Sequence, residues 1–198
     1  MQDVTITING DAMTANIDER TLLLEFIRDV AGKTGTHNGC LEARCGCCSV
    51  EVDGDIVKSC NVLALQVAGR EVTTIEGLSK ERLRPVEHVT SQGLAGMYAP
   101  LHALGTDISD LHPVQVAFHK CHAVQCGFCT PGMVMVIKNY LEENPNPTRN
   151  DVRTAIAGNL CRCTGYQHIV DAGMMAAETM RSQALTSDPQ PAVAADEH

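Results

Sequence analysis

The chain has 198 residues, of which 44% are hydrophobic and only 3% aromatic, with no tryptophan and a formal net charge of −9. That length suits one domain or two small ones around a packed core. The acidic balance speaks against a phosphate-backbone partner, and the scarcity of aromatics speaks against a stacking platform for single-stranded nucleic acid.

Residues 4–8 alternate apolar and β-branched polar side chains, a strand pattern, and Asn9-Gly10-Asp11 turns the chain into a second strand over 12–17. Thr21 then opens a helix through Leu22 to Arg28, which Gly32 and Gly35 end. A loop from Thr36 to Cys48 follows. Val50–Val52 and Ile56–Lys58 flank the turn Asp53-Gly54 as a hairpin ending at Cys60, and residues 71–75 make a last strand. Segment 79–109 mixes charge, proline and glycine. It is expected to be a long interdomain segment, with a short helix near 80–92.

From Asp110 the apolar period becomes 3.6. Pro113 opens a helix through His119 and Ala123. Thr130 reads as an N-cap with Pro131 at the first helical position. Met133, Val134, Ile137, Tyr140 and Leu141 form one stripe, stopped by Pro145 and Pro147. Thr148 and Asp151 make a capping box for a third helix to about Ile156. Gln167 to Arg181 is a fourth helix, with Ala172, Gly173, Ala176 and Ala177 as a small-residue face. The fold class expected is α+β. Residues 1–78 form a mixed sheet crossed by a helix and 110–182 form a four-helix domain, followed by a disordered tail over 183–198.

Ten cysteines need an explanation. The first residues carry neither a basic nor an apolar leader region, so a cytoplasmic chain is expected, in which clustered cysteines bind metal rather than form disulfides. Cys40-x4-Cys45-x2-Cys48, with Cys60 after eleven residues, has the plant-type [2Fe–2S] spacing. Gly39 and Gly46 would let backbone amides approach the sulfurs. Cys47 breaks the spacing and is expected to point away as a small buried thiol. Cys126-x2-Cys129 with Cys161-x-Cys163 is a second four-thiol set that, by itself, also suits structural zinc. Cys121 is expected to face the helical core, and the eight histidines are expected to serve as surface or core residues. No Walker loop, GxGxxG, HExxH or Ser-His-Asp arrangement is present, so no catalytic residue and no substrate pocket are expected in this chain.

The first half resembles the β-grasp arrangement of plant-type ferredoxins. Together with Gln-Cys-Gly-Phe-Cys-Thr-Pro-Gly-Met at 125–133 and Gly-Asn-Leu-Cys-Arg-Cys-Thr-Gly-Tyr at 158–166, it resembles the iron–sulfur subunit of molybdenum hydroxylases of the xanthine oxidase type. Glu76-Gly77-Leu78 and Leu111-His112-Pro113-Val114-Gln115 are similar to that family's interdomain landmarks. The resemblance implies two [2Fe–2S] clusters. Cys126, Cys129, Cys161 and Cys163 would hold the one nearer molybdenum, and Cys40, Cys45, Cys48 and Cys60 the one nearer FAD. Gln125 and Cys163 would lie beside the pterin. It further implies a large subunit with molybdopterin, as the cytosine dinucleotide in many bacteria, a medium subunit with FAD, and a dimer of heterotrimers. Members usually have glycine where Ala43 stands and alanine where Cys47 stands, so Ala43 must avoid positive φ or bear its cost. The competing expectations are a free ferredoxin-like carrier, for which the helical half would be superfluous, and a zinc module joined to a ferredoxin domain. The substrate is not legible, because the resemblance puts its choice in the large subunit.

Overall fold

The computed structural model describes residues 1–79 and 108–187. Its first half is a five-stranded mixed sheet. Strands β1 (Gln2–Ile8) and β2 (Asp11–Ile17) pair antiparallel from Gln2↔Ile17 to Ile8↔Asp11. The tight reversal depends on Asn9 (φ 52°) and Gly10 (φ 83°), both left-handed, as a twist-matched two-residue hairpin requires. Strands β3 (Ser49–Val52) and β4 (Asp55–Lys58) form the second hairpin, and β5 (Glu71–Thr73) lies between them and β1. It runs parallel to β1 and antiparallel to β3, giving the order β2-β1-β5-β3-β4.

Alternation along β1 sends Val4, Ile6 and Ile8 inward, where they meet Leu23, Phe26 and Ile27 from the crossing helix. That helix differs from its sequence pattern. Only α1 (Leu23–Glu25) is α-helical, and Phe26–Val30 widens into a π-turn. The Arg28 guanidinium donates to Thr34 O at 2.8 Å and to Thr36 O at 2.7 Å, tying this turn to the start of the cysteine loop. The last strand is also shorter than its pattern. After Thr73 the chain turns at Ile75–Gly77, where Glu76 Oε1 accepts from the Gly35 amide at 2.8 Å.

The second half contains α2 (Pro113–Lys120), α3 (Thr130–Glu143), α4 (Arg149–Ala155) and α5 (Gln167–Ser187). Phe118, Met133, Ile137, Leu141, Ile169 and Ala176 are among the residues that form its core. At Gly173 a β-carbon would sit 2.7 Å from Val152 Cγ1, so the small-residue face of α5 does bring α4 close. Three expectations change. Helix α2 stops at Lys120, because His122 (φ 54°) turns the chain toward the next loop. Thr130 lies inside α3, Cys129 holds the N-cap position, and the buried Thr130 hydroxyl has no hydrogen-bond partner among the described residues. Helix α5 continues to Ser187, so 183–187 is helix rather than tail. The expected helix near 80–92 and the rest of the tail lie outside the described residues, as does all of 79–109 except its ends, where Ile108–Asp110 forms a 3₁₀ turn. No helix among the described residues is long and apolar enough to cross a membrane.

Helix α3 lies against β3 and joins the halves. Lys138 Nζ reaches Glu51 Oε2 at 2.5 Å and Glu142 Oε2 at 2.9 Å, with Lys138 and Glu51 only 12% and 14% exposed. Burial alone would lower the Lys138 pKa, but the two carboxylates outweigh it and raise it. Lys138→Met would leave the Glu51 carboxylate facing an apolar helix. It is expected to destabilise the protein by about 2–3 kcal/mol, read as a lower urea midpoint.

Candidate metal centres

The loop from Thr36 to Cys48 coils because residues in it take left-handed backbone: Leu41 (φ 55°), Ala43 (φ 56°) and Gly46 (φ 70°). Alternating handedness turns successive amides to one side, which makes an anion-binding concavity. Here the concavity receives a sulfur. The amides of Glu42 and Cys45 point at Cys40 Sγ at 3.4 and 3.5 Å. With Arg44, these amides pull the Cys40 thiol down to about 7, the Cys45 amide contributing most. Cys40 therefore offers a thiolate near neutral pH.

Cys45 lies beside Cys40, and Cys48 lies against Cys60 in a small buried cluster with Leu24. Ser59 Oγ donates to Cys48 O at 2.8 Å, fixing the turn that carries Cys60 against the loop. Burial raises the Cys48 pKa to about 11. Ala43 carries the strain expected of it, and Lys58 Nζ holds its carbonyl at 2.7 Å. Ala43→Gly should relieve about 1–2 kcal/mol of left-handed strain and lose part of that to unfolded-chain entropy. The expected net gain is about 0.5–1 kcal/mol, measurable as a higher unfolding midpoint.

The second set converges from two loops. Cys126 and Cys163 are exposed, with their sulfurs 3.5 Å apart. Cys129 is buried and its thiol lies against Cys161. The N-terminus of α3 would by itself favour thiolate at Cys129. Burial wins at Cys129, however, and pushes its pKa up to about 12. At Cys161 burial also acts upward, but hydrogen bonds led by the Thr164 hydroxyl (3.1 Å) outweigh it and lower the pKa. Tyr166, at φ 67°, turns its hydroxyl to accept from the Cys161 amide at 2.9 Å. Gln125 is exposed directly before Cys126.

Both sets thus present thiols in pairs: Cys40 with Cys45, Cys48 with Cys60, Cys126 with Cys163 and Cys129 with Cys161. A two-iron centre needs two protein thiolates per iron. The paired layout fits that requirement.

The two sets meet along a seam. The Leu160 amide donates to Cys45 O at 2.8 Å, so a hydrogen bond joins Cys45 to the residue before Cys161. Asn159, 4% exposed, donates from Nδ2 to Gly46 O at 3.0 Å. Cys47, also 4% exposed, packs into the core of the helical half, and its thiol still lies beside Cys45, with burial the main cause that raises its pKa to about 12. Cys121 packs at the edge of the same core, its Sγ 3.8 Å from Met175 Sδ. One contact had no sequence signal: His37 stacks on Phe128, with ring centroids 4.9 Å apart.

Comparison with known proteins agrees with this layout. Residues 6–74 match the family described as 2Fe-2S iron-sulfur cluster binding domain, and residues 101–174 match the [2Fe-2S] binding domain family. This defines an iron–sulfur protein with two cluster-binding domains in tandem. The chain is 37% identical to caffeine dehydrogenase subunit gamma of Pseudomonas sp. (strain CBB1), covering 85% of this chain and 87% of that one. It is 38% identical to the nicotine 6-hydroxylase small subunit of Paenarthrobacter nicotinovorans, with 86% of each covered. Among solved structures, quinoline 2-oxidoreductase from Pseudomonas putida 86 aligns at TM-score 0.74 and 37% identity, over 91% of this chain and 96% of the matched chain. The chain belongs to the family of small iron–sulfur subunits of molybdenum hydroxylases, and is an oxidoreductase subunit.

Proposed function

We propose that this chain passes electrons one at a time from a molybdopterin centre in a large subunit, through two [2Fe–2S] clusters of its own, to FAD in a medium subunit. Cys126, Cys129, Cys161 and Cys163 hold the cluster nearer molybdenum, with Gln125 and Cys163 beside the pterin. Cys40, Cys45, Cys48 and Cys60 hold the cluster nearer FAD. When bound, each cluster supplies a site that takes up and gives back one electron.

The observation that carries this reading is the Leu160–Cys45 hydrogen bond, which places one set directly against the other. The rest of the chain's contribution is to hold, shield and expose. The Cys126–Cys163 pair lies open at the surface, where a donor can approach. Cys48 and Cys60 are shielded beneath their loop, and the amide concavity stabilises negative charge at Cys40. Gln125 offers an amide that both donates and accepts, as a pterin edge requires. The sheet order and crossing helix support a β-grasp domain over 1–78, and α2 to α5 support a four-helix domain over 110–182, with 79–109 as the connection. The cytosine dinucleotide form of the pterin, the dimer of heterotrimers and a cytoplasmic location belong to the same proposal.

The test is to purify the chain with its partners. About four irons per chain and two distinct EPR signals on reduction are expected, with molybdenum and flavin co-purifying. Two irons with one zinc, or a chain that binds neither partner, would sink the reading.

A further inference from the structure

We propose that His37 is a positioning residue that clamps the loop carrying Cys40 and Cys45 to the loop carrying Cys126 and Cys129, and so sets the coupling between the two clusters. The inference rests on the ligand assignment proposed above. His37 stands three residues before Cys40, and Phe128 directly precedes Cys129. The two rings stack at 4.9 Å with 25° between their planes, and His37 Nδ1 lies 2.8 Å from Phe128 O. A carbonyl only accepts, so Nδ1 carries the proton and donates. One residue is therefore held twice, through its ring and through the peptide that leads into a ligand. The intervening backbone has no slack. A β-carbon at Gly39 would lie 2.8 Å from Cys45 Sγ and 3.4 Å from Phe128 Cε1. At Gly39 the backbone therefore lies close against both the Cys45 sulfur and the Phe128 ring.

Burial does not account for this contact. Phe128 is 47% exposed, so the stack leaves its ring only half-buried and its burial alone contributes modestly. Orientation does account for it. The Leu160–Cys45 bond and the Asn159–Gly46 bond join the halves through neighbouring residues, Cys45 and Gly46. The other attachments between the halves, Gly132 on Gly46 and Lys138 on Glu51, also fall after Cys45 in the chain, and none of these holds the stretch before Cys40. The attachment at His37, contributed by a separate stretch of chain, ties the start of the cysteine loop to Phe128 and so orients Cys40 relative to the second set. Holding reactive groups in one geometry is what such supporting contacts supply.

The experiment uses the full chain loaded with its clusters. Iron content, unfolding midpoint and the magnetic interaction between the two reduced clusters are measured for the wild type, His37→Ala, His37→Asn and His37→Phe. The magnetic interaction is read as EPR line splitting and relaxation rate. His37→Asn keeps a donor and loses the stack, and His37→Phe keeps a stack and loses the donor. The expected result is wild-type iron content in all variants, an altered interaction in His37→Ala and partial return toward the wild type in the other two. A fully loaded His37→Ala protein with an unchanged interaction would overturn the proposal. So would loss of iron in all three variants, since His37 would then be needed for the fold of the loop and not for its orientation. Failure of the ligand assignment is distinguishable, because it appears in the wild type as missing iron or a missing EPR signal.

Discussion

Cys163→Ala is expected to lose one EPR signal and to fall from about four irons per chain to about two, while the fold stays intact. Cys163 is exposed, with its sulfur 3.5 Å from that of Cys126, so its removal opens no buried cavity. Cys60→Ala is the matching change in the first half, and its consequences differ. It too should halve the iron and remove the other signal. But Cys60 is 5% exposed and packs with Cys48 and Leu24, so this variant should also unfold earlier. The pair therefore separates cluster loss from loss of packing. Retention of all iron by Cys163→Ala would remove Cys163 from the ligand set. If either variant lost both signals, the two sets would not be independent centres.

Legibility in the sequence follows the range of the interaction. The hairpin at Asn9-Gly10, the Thr148–Asp151 capping box and the close face at Gly173 are set by near neighbours or by period, and all three appear as expected. The cysteine spacings are local as well. They predict which thiols can share a loop, but the observed pairs, Cys126 with Cys163 and Cys48 with Cys60, join separate stretches of chain and depend on the fold. Thr130 looked like a cap because Thr-Pro commonly begins helices. In the fold the backbone turns one residue earlier, and Cys129 occupies the cap position with no side-chain acceptor. The π-turn at Phe26–Val30 carries no recognised sequence mark, and the extension of α5 to Ser187 runs through residues with little apolar pattern. The seam was the least visible part. Lys138 meets Glu51, Asn159 meets Gly46 and His37 meets Phe128 across roughly a hundred residues each, and nothing near either partner announces the other. Cys47 shows the same limit. Its expected burial holds, but its place in the core of the helical half depends on that long-range docking.

Gly132 is where that docking is tightest, and two effects of opposite sign meet there. Gly132 lies in the first turn of α3, and its φ is not in the left-handed region. Helix propensity alone would make Gly132→Ala stabilising, by about 0.5–1 kcal/mol. The surroundings oppose it. A β-carbon there would fall on the carbonyl oxygen of Gly46, with Gly46 C at 3.0 Å and Cys47 Cα at 3.1 Å. All three neighbours are backbone atoms of the loop that carries Cys45 and Cys48, so no side chain can rotate away. That same Gly46 carbonyl accepts from Asn159 Nδ2 and, at 2.8 Å, from Ser49 Oγ. Moving it would cost buried hydrogen bonds as well as contact. Overpacking against rigid backbone costs about 3 kcal/mol or more, which outweighs the propensity gain. Gly132→Ala is therefore expected to destabilise the protein by about 2–3 kcal/mol net, read from the urea midpoint of the loaded chain. It should also alter both EPR signals, since α3 begins beside Cys129 while the displaced loop carries Cys45 and Cys48. Gly69→Ala is the control: φ is +76° and a β-carbon meets nothing within 4 Å, so about 1–2 kcal/mol of local strain is expected with both signals unchanged. A Gly132→Ala protein as stable as the wild type would mean that the helix and the cluster loop are not held in the close contact from which the seam is built.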